Sequence, residues 1–483
     1  MLMEVPTTDN LSTTLVAVAV ILLLVKSTWS LPGKSTKNKP PSPSTGLPYL
    51  GDFLGYTKDP IRFIGKVTTK YGRVFRLKLP FMNVLYLRGA QLNRMYVDVK
   101  EDTWSFGGGV GIFLRQLAKP GYFSHFQTMS SSIMRGVNRK EALNHYAGLI
   151  DEEVFKTLRE WSTQPDFKLF EETSRFVHRV IVRCLMGQDF YDNHTRELYE
   201  IELTMENNVG HPLNFLLPGW IPNPPARRLG KARARFMEIF HSQMDHRRRN
   251  PESWKGSLDY ITYTLEDPRT SHLQEFFPSH HIFLMFAAHT SVVANVAWTI
   301  LELIRHPEYL TTLRESLQAH EQNPHQSLEL LAAIKETNRH YTSMHSFRTT
   351  QKPLDLPTPN GDTFSVPPNW VVSMSLYMTH HDPEVFLDPD QWIPERWLQE
   401  DPRLRNLYNA DEAAFMPFGG GCHRCPGENL AGIIARTMVA SLVKNYDFGW
   451  GNRGEPSHIS LDFSRLSNPW MKGDVSITAQ KMG

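Results

Sequence analysis

The chain has 483 residues, 41% hydrophobic and 11% aromatic, with 52 Lys and Arg against 50 Asp and Glu for a net charge of +2. That balance argues against nucleic acid as a partner, which would call for a concentrated basic face, while the apolar content suffices for a large core. Three cysteines in such a length fit a reducing compartment and exclude a disulfide framework.

Length alone exceeds one usual domain, yet there is no internal repeat and only one low-complexity linker, so a single catalytic unit is expected over 51–483. Leu11 to Val25 is apolar apart from Ser12, Thr13 and Thr14; Glu4 and Asp9 precede it, and Lys26, Lys34, Lys37 and Lys39 follow. This predicts a single-pass anchor within 1–30 with its C-terminal side cytoplasmic. A cleaved signal peptide is the alternative, but no small-residue cleavage site is evident. Pro40, Pro41 and Pro43 then form a stiff, extended hinge within 31–50.

Next comes a glycine-rich loop, Phe106-Gly107-Gly108-Gly109-Val110, followed by a predicted helix with Arg135 and Arg139. His211 to Pro222 is proline-rich and carries apolar Leu213, Phe215, Leu216, Leu217, Trp220 and Ile221, and the helix after it bears Arg227, Arg228, Lys231, Arg233 and Arg235. Together they suit a patch that dips into a membrane interface. A long apolar helix is predicted from about Ser279 to Ile304; within it, Phe286-Ala287-Ala288-His289-Thr290-Ser291 offers small residues that allow close approach. The segment 321–331 reads as an exposed connection. Glu336 and Arg339 then share one helical face at a spacing that permits an ion pair. The turn signal Pro359-Asn360-Gly361, with apolar stretches at 363–366 and 370–372, reads as short strands around a hairpin.

The most specific stretch is Phe418-Gly419-Gly420-Gly421-Cys422-His423-Arg424-Cys425-Pro426-Gly427-Glu428. Its glycines let the backbone pass close to a flat cofactor, and Pro426 and Gly427 set a turn into a helix whose amides would face a Cys425 thiolate. Cys422 and Cys425 would also suit zinc or redox chemistry, although no second Cys-x-x-Cys completes a four-ligand site.

The spacing F-x-x-G-x-x-x-C-x-G resembles the signature of the cytochrome P450 superfamily. Ala287 to Thr290, Glu336-x-x-Arg339 and Pro394-Glu395-Arg396-Trp397 stand in the order and separation of that family's other motifs. The resemblance implies a mainly α fold with small β-sheets (α+β) and haem b (iron protoporphyrin IX) held through Cys425 as metal ligand. Phe418, Gly421, His423 and Gly427 would border the cofactor, and Arg348, with His423, would neutralise its propionates; Arg135 and Arg139 are weaker candidates for a further contact. By the same resemblance, Glu336, Arg339 and Arg396 lock the segment that holds the haem loop. Thr290 would be the catalytic hydroxyl, and His289, where most relatives have an acid, could feed it protons through water.

Three details are similar to the sterol 14α-demethylase branch: His289 before Thr290, Gly421-x-His423-Arg424-Cys425, and the 211–222 loop. Ile112 departs from it, falling where those enzymes carry a tyrosine. Candidate pocket residues are Phe106, Val110, Phe113, Leu213, Phe215, Met285 and Ala287. The expectation is a monooxygenase of the endoplasmic reticulum membrane with a cytosolic catalytic domain. It would use O2 and electrons from NADPH-cytochrome P450 reductase, since this chain has no flavin or nicotinamide motif. Its substrate would be bulky and lipophilic, sterol- or triterpenoid-like or another specialised metabolite. A haem-thiolate isomerase or dehydratase acting on a peroxide, with no reductase, is the alternative.

Overall fold

In the computed structural model, the described residues are 38–43, 50–79, 82–217, 221–342, 345–398, 412–465 and 468–483, with the side chains of Phe215 and Leu216 excepted. The predicted anchor and much of the hinge lie outside them. Eleven helices frame the site: α1 (Ala90–Asp98), α2 (Phe106–Leu114), α3 (Phe126–Val137), α4 (Lys140–Ser162), α5 (Leu169–Ile181), α6 (Gln188–Val209), α7 (Pro212–Leu216), α8 (Pro224–Arg249), α9 (Phe277–Arg305), α10 (Leu328–His340) and α11 (Glu428–Asn445). Five strands, β1 (Val74–Leu79), β2 (Met82–Leu87), β3 (Trp104–Ser105), β4 (Ser346–Thr350) and β5 (Val371–Met374), form one sheet in the order β1-β2-β5-β4-β3. Only its β2–β5 pair is parallel.

Helix α9 is apolar all round because it runs through the core, packed by α5, α8, α10 and α11. It is also long and apolar enough to cross a membrane, but most of its surface is buried against protein. Trp298 fixes its C-terminal half, stacking on Tyr341 at 4.0 Å and donating from Nε1 to the Pro469 carbonyl at 2.8 Å.

Three local expectations are corrected. Phe106 to Val110 is the start of α2 rather than a loop: Ser105 Oγ accepts from the Gly108 amide at 2.9 Å, and Glu101 accepts from Phe106 at 2.9 Å and from Gly107 at 3.3 Å. Glycine is needed there for packing, since a Cβ on Gly109 would run into the Phe347 carbonyl of β4. The connection after residue 321 ends earlier than expected, because Ser327 caps α10 by accepting from the Leu330 amide at 3.0 Å. Thr363 to Val366 does form a hairpin across the turn at Gly361 (φ 85°), but its partner is Leu354–Pro357. Trp370 to Val372 leads instead into β5 of the large sheet.

Candidate active site

The cysteine loop is closed by its own backbone. The Cys425 amide donates to the Phe418 carbonyl at 2.8 Å, and Asn138 Nδ2 donates to the Pro426 carbonyl at 2.8 Å, tying the loop to the end of α3. Gly421 has φ 61°, and a Cβ there would lie 2.7 Å from the Val97 carbonyl oxygen of α1, so no other residue fits. Burial pushes the Cys425 thiol up; the amides of Gly427 and Glu428 and the Arg424 charge pull it back towards the thiolate.

Beside the loop, His423 stacks on Phe106 at 4.7 Å, and its Nε2 lies 2.8 Å from Glu101 Oε2. Burial works to raise the Glu101 carboxyl, but hydrogen bonds from His423, the Phe106 amide, Ser105 and the Gly107 amide outweigh it and hold it at about 2. Glu101 therefore joins the cysteine loop to the start of α2. Arg348 on β4 is 1% exposed; its Nη1 donates to the Val99 carbonyl at 2.8 Å and its guanidinium lies over the Tyr96 ring at 4.7 Å. Its Nε has no hydrogen-bond partner, and no carboxylate lies within ion-pair distance among the described residues. A buried guanidinium with an orphaned donor calls for an anion, which a haem propionate would supply. Arg135 and Arg139 are otherwise engaged, the first with Asp267 at 3.1 Å and the second with the Gly136 carbonyl at 3.0 Å.

Across the core, Ala287 is exposed within a stretch of α9 where residues 277–286 are all buried, and Ala288 and Ser291 are half-buried, so this small-residue stripe borders open space. Thr290 and His289 turn elsewhere. Thr290 Oγ1 donates to Glu206 Oε1 at 2.8 Å, His289 Nδ1 lies 2.6 Å from the same oxygen, and Arg465 Nη1 donates to Glu206 Oε2 at 2.6 Å. Burial works against charge on His289, yet Glu206 and Glu202 outweigh it and raise the imidazole to about 9.

Glu336, Arg339 and Arg396 come together with no solvent exposure of their side chains. Arg339 reaches Glu336 Oε1 at 2.8 Å and Oε2 at 3.0 Å, and Arg396 Nε reaches Oε1 at 3.0 Å.

Residues 40–469 match the family model described as Cytochrome P450. The chain belongs to the cytochrome P450 family. It is 58% identical over 460 residues to "Cytochrome P450 monooxygenase pyvB" of Aspergillus violaceofuscus, covering 95% of this chain and 93% of that one. Similarity to rat "Lanosterol 14-alpha demethylase" is 25% identity, covering 94% and 92% of the two chains. Among solved structures, "Retinoic acid bound cyanobacterial CYP120A1" matches with a TM-score of 0.76 at 20% identity, covering 93% of this chain and all of that one, which shows the shared fold. As a P450 the protein binds haem through a cysteine thiolate.

Within this P450, Phe113 packs on Phe347 at 4.6 Å, and Phe106, Val110 and Leu213 are half-buried. Met285 is fully buried, and the Phe215 side chain lies outside the described residues. Several arginines of the helix after 211–222 are bonded within the protein rather than free at its surface. Arg228 donates to Asn208 at 3.3 Å, Arg233 to the Ala118 carbonyl at 2.8 Å, and Arg235 pairs with Glu197. Sequence reasoning missed Glu101, Glu202, Glu206 and Arg465. For Glu202 and Glu206 a signal existed: both fall on the apolar stripe of α6 with Leu198, Ile201, Met205 and Val209. Arg348→Met is expected to weaken haem retention by about 1.5–3 kcal/mol, the worth of a hydrogen bond to a charged group. The ratio of haem to protein absorbance after dilution and gel filtration measures it.

Proposed function

We propose that this P450 hydroxylates, or oxidises further, a bulky lipophilic substrate, sterol- or triterpenoid-like or another specialised metabolite. Electrons come from NADPH-cytochrome P450 reductase at the endoplasmic reticulum, where residues 1–30 anchor a catalytic domain spanning 51–483 that faces the cytosol. The observation that carries the substrate class is an aromatic wall close to the exposed stripe of α9. Phe123 packs on Phe283 of α9 at 5.9 Å and on Phe126 at 6.1 Å, and Phe126 lies 6.1 Å from Phe106, which stacks on His423 of the cysteine loop. Such a wall excludes water and contacts an apolar scaffold over a large area. The rat relative's name, which specifies lanosterol, lends support to a chamber of polycyclic size. Ile112 distinguishes this chain from that branch and supports a different scaffold.

Haem bound through Cys425 supplies dioxygen activation. Ala287 would leave open space against the cofactor, and Arg348 and the Glu101-His423 pair would help to hold it beside the cysteine loop. Thr290 holds its proton towards Glu206, and turning that hydroxyl to the haem side would make it a donor to reduced oxygen.

Reconstituting the protein with the reductase, NADPH and a panel of polycyclic and polyketide-like substrates tests this reading. Oxygenated products that require NADPH and reductase are expected. Conversion of an organic peroxide without either would favour an isomerase or dehydratase instead. Thr290→Ala is expected to retain NADPH consumption while most of the electrons leave as hydrogen peroxide, measured as the product-to-peroxide ratio.

A further inference from the structure

Helix α6 turns two carboxylates into the core. Glu206 is fully partnered, by Thr290, His289 and Arg465. Glu202, one turn earlier and 0% exposed, has no hydrogen-bond partner for either oxygen among the described residues; His289 Nδ1 lies 3.8 Å from its Oε1. Counting donors fixes the state of His289. Its Nε2 lies 3.0 Å from the Ser174 carbonyl, which can only accept, and at a longer 3.3 Å from Ser174 Oγ, which is also bonded to Tyr199; its Nδ1 faces the Glu206 carboxylate, so both nitrogens donate and the ring is an imidazolium.

His289 and Arg465 are then positive and Glu206 negative. Of the three charged groups bonded to one another here, the sum is one positive charge, offset in part by Asp462 at the rim, 4.0 Å from Arg465. At Glu202, desolvation and the neighbouring Glu206 charge favour the neutral acid and the His289 imidazolium favours the anion, so this carboxyl can both hold and surrender a proton. Burial raises it to about 8, against the downward pull of His289 and with an upward push from Glu206. His178 of α5, with its ring 6.2 Å from that of His289, is kept neutral chiefly by burial, at about 3. Tyr199, bonded to Ser174 Oγ at 3.0 Å, is pushed up by burial.

We propose that Glu202 is a proton-holding residue for the distal side of α9, restoring the proton that His289 sends through Glu206 to Thr290. The His289 Nδ1–H bond breaks as Glu206 Oε1 takes the proton; once the Thr290 hydroxyl hydrogen turns from Glu206 to an acceptor on the haem side and is given up there, Glu206 passes its proton to Thr290 Oγ1. Glu202 O–H then re-protonates Nδ1 and becomes an anion beside the imidazolium, and a proton taken up from solvent restores it. No electron moves in these steps. The proposal rests on the monooxygenase reading, whose chemistry consumes protons with its electrons. His289, Glu202 and Glu206 also bring possible metal-ligand atoms within 4.8 Å of one another, but Arg465 against Glu206 repels a divalent cation and makes a proton the fitting occupant.

Infrared difference spectra of the haem-loaded full-length protein in H2O and D2O, below and above a pH of about 8, test it with wild type, Glu202→Gln and Glu202→Asp. A protonated-carboxyl band is expected in the wild type that shifts in D2O, fades as pH rises through that value and is missing in Glu202→Gln. With reductase and NADPH, Glu202→Gln is expected to send a several-fold larger share of electrons to hydrogen peroxide, and Glu202→Asp to restore the wild-type ratio. If Glu202→Gln removes no such band, or if it changes peroxide release no more than Glu202→Asp does, the proposal is overturned while reductase-dependent turnover still supports the monooxygenase. The infrared result needs no turnover, so it decides the proton state even if that wider reading fails.

Discussion

Replacing Cys425 with serine is expected to abolish the strongly red-shifted Soret band of the reduced, carbon monoxide-bound protein and essentially all monooxygenase turnover, while Cys422→Ser leaves both unchanged. The two cysteines are three residues apart but differ in setting. Cys422 is exposed, whereas Cys425 closes the loop through the Phe418 carbonyl and faces the amides that open α11. A serine would keep the loop hydrogen bond, which is made by the backbone, and lose only the sulfur. Folding should therefore survive while the thiolate that we propose binds the haem is lost. Difference spectra of the detergent-solubilised variants separate the outcomes. A red-shifted band that persists in Cys425→Ser, or vanishes in Cys422→Ser, would move the ligand assignment.

What could be read from the sequence was whatever the chain brings together over short spans or through fixed spacing. Cys425, Gly421 and Gly427 sit in one loop; Glu336 and Arg339 are three residues apart on one helix; and the apolar run of α9 was placed within two residues of its observed ends. The groups around Thr290 were hidden because they converge from separate elements, with Glu202 and Glu206 from α6, Ser174 from α5 and Arg465 from a C-terminal segment. No spacing rule links them. His423 shows the same limit: its position pointed to a propionate, and the structure places Glu101, 322 residues earlier, against it. The glycines at 107 to 109 misled for another reason. Glycine signals either a turn or a close approach, and only the position of β4 against α2 shows that close approach is the cause here.

Glu336→Gln is expected to destabilise the fold by about 3–5 kcal/mol, the cost of leaving buried cations uncompensated. Glu336 accepts five hydrogen bonds: two from Arg339, one from Arg396, one from the Ile393 amide at 2.9 Å and one from Trp397 Nε1 at 2.9 Å. Arg339 in turn donates to the carbonyls of His380, Pro389 and Gln391 at 2.7–2.9 Å, so one carboxylate organises the turns on both sides of residue 390. Glutamine keeps the volume but removes the charge, and its amide hydrogens oppose the guanidinium donors. Arg396 already has an unpartnered Nη2, which leaves little capacity to absorb the loss. Against a typical total stability of about 5–15 kcal/mol, this change should lower the denaturant midpoint strongly and reduce the haem-bound fraction. Arg339→Lys is the sharper test: it keeps the charge but cannot span two carboxylate oxygens and three carbonyls at once. If that variant unfolds at the wild-type denaturant midpoint, charge alone suffices and the fixed guanidinium geometry is dispensable.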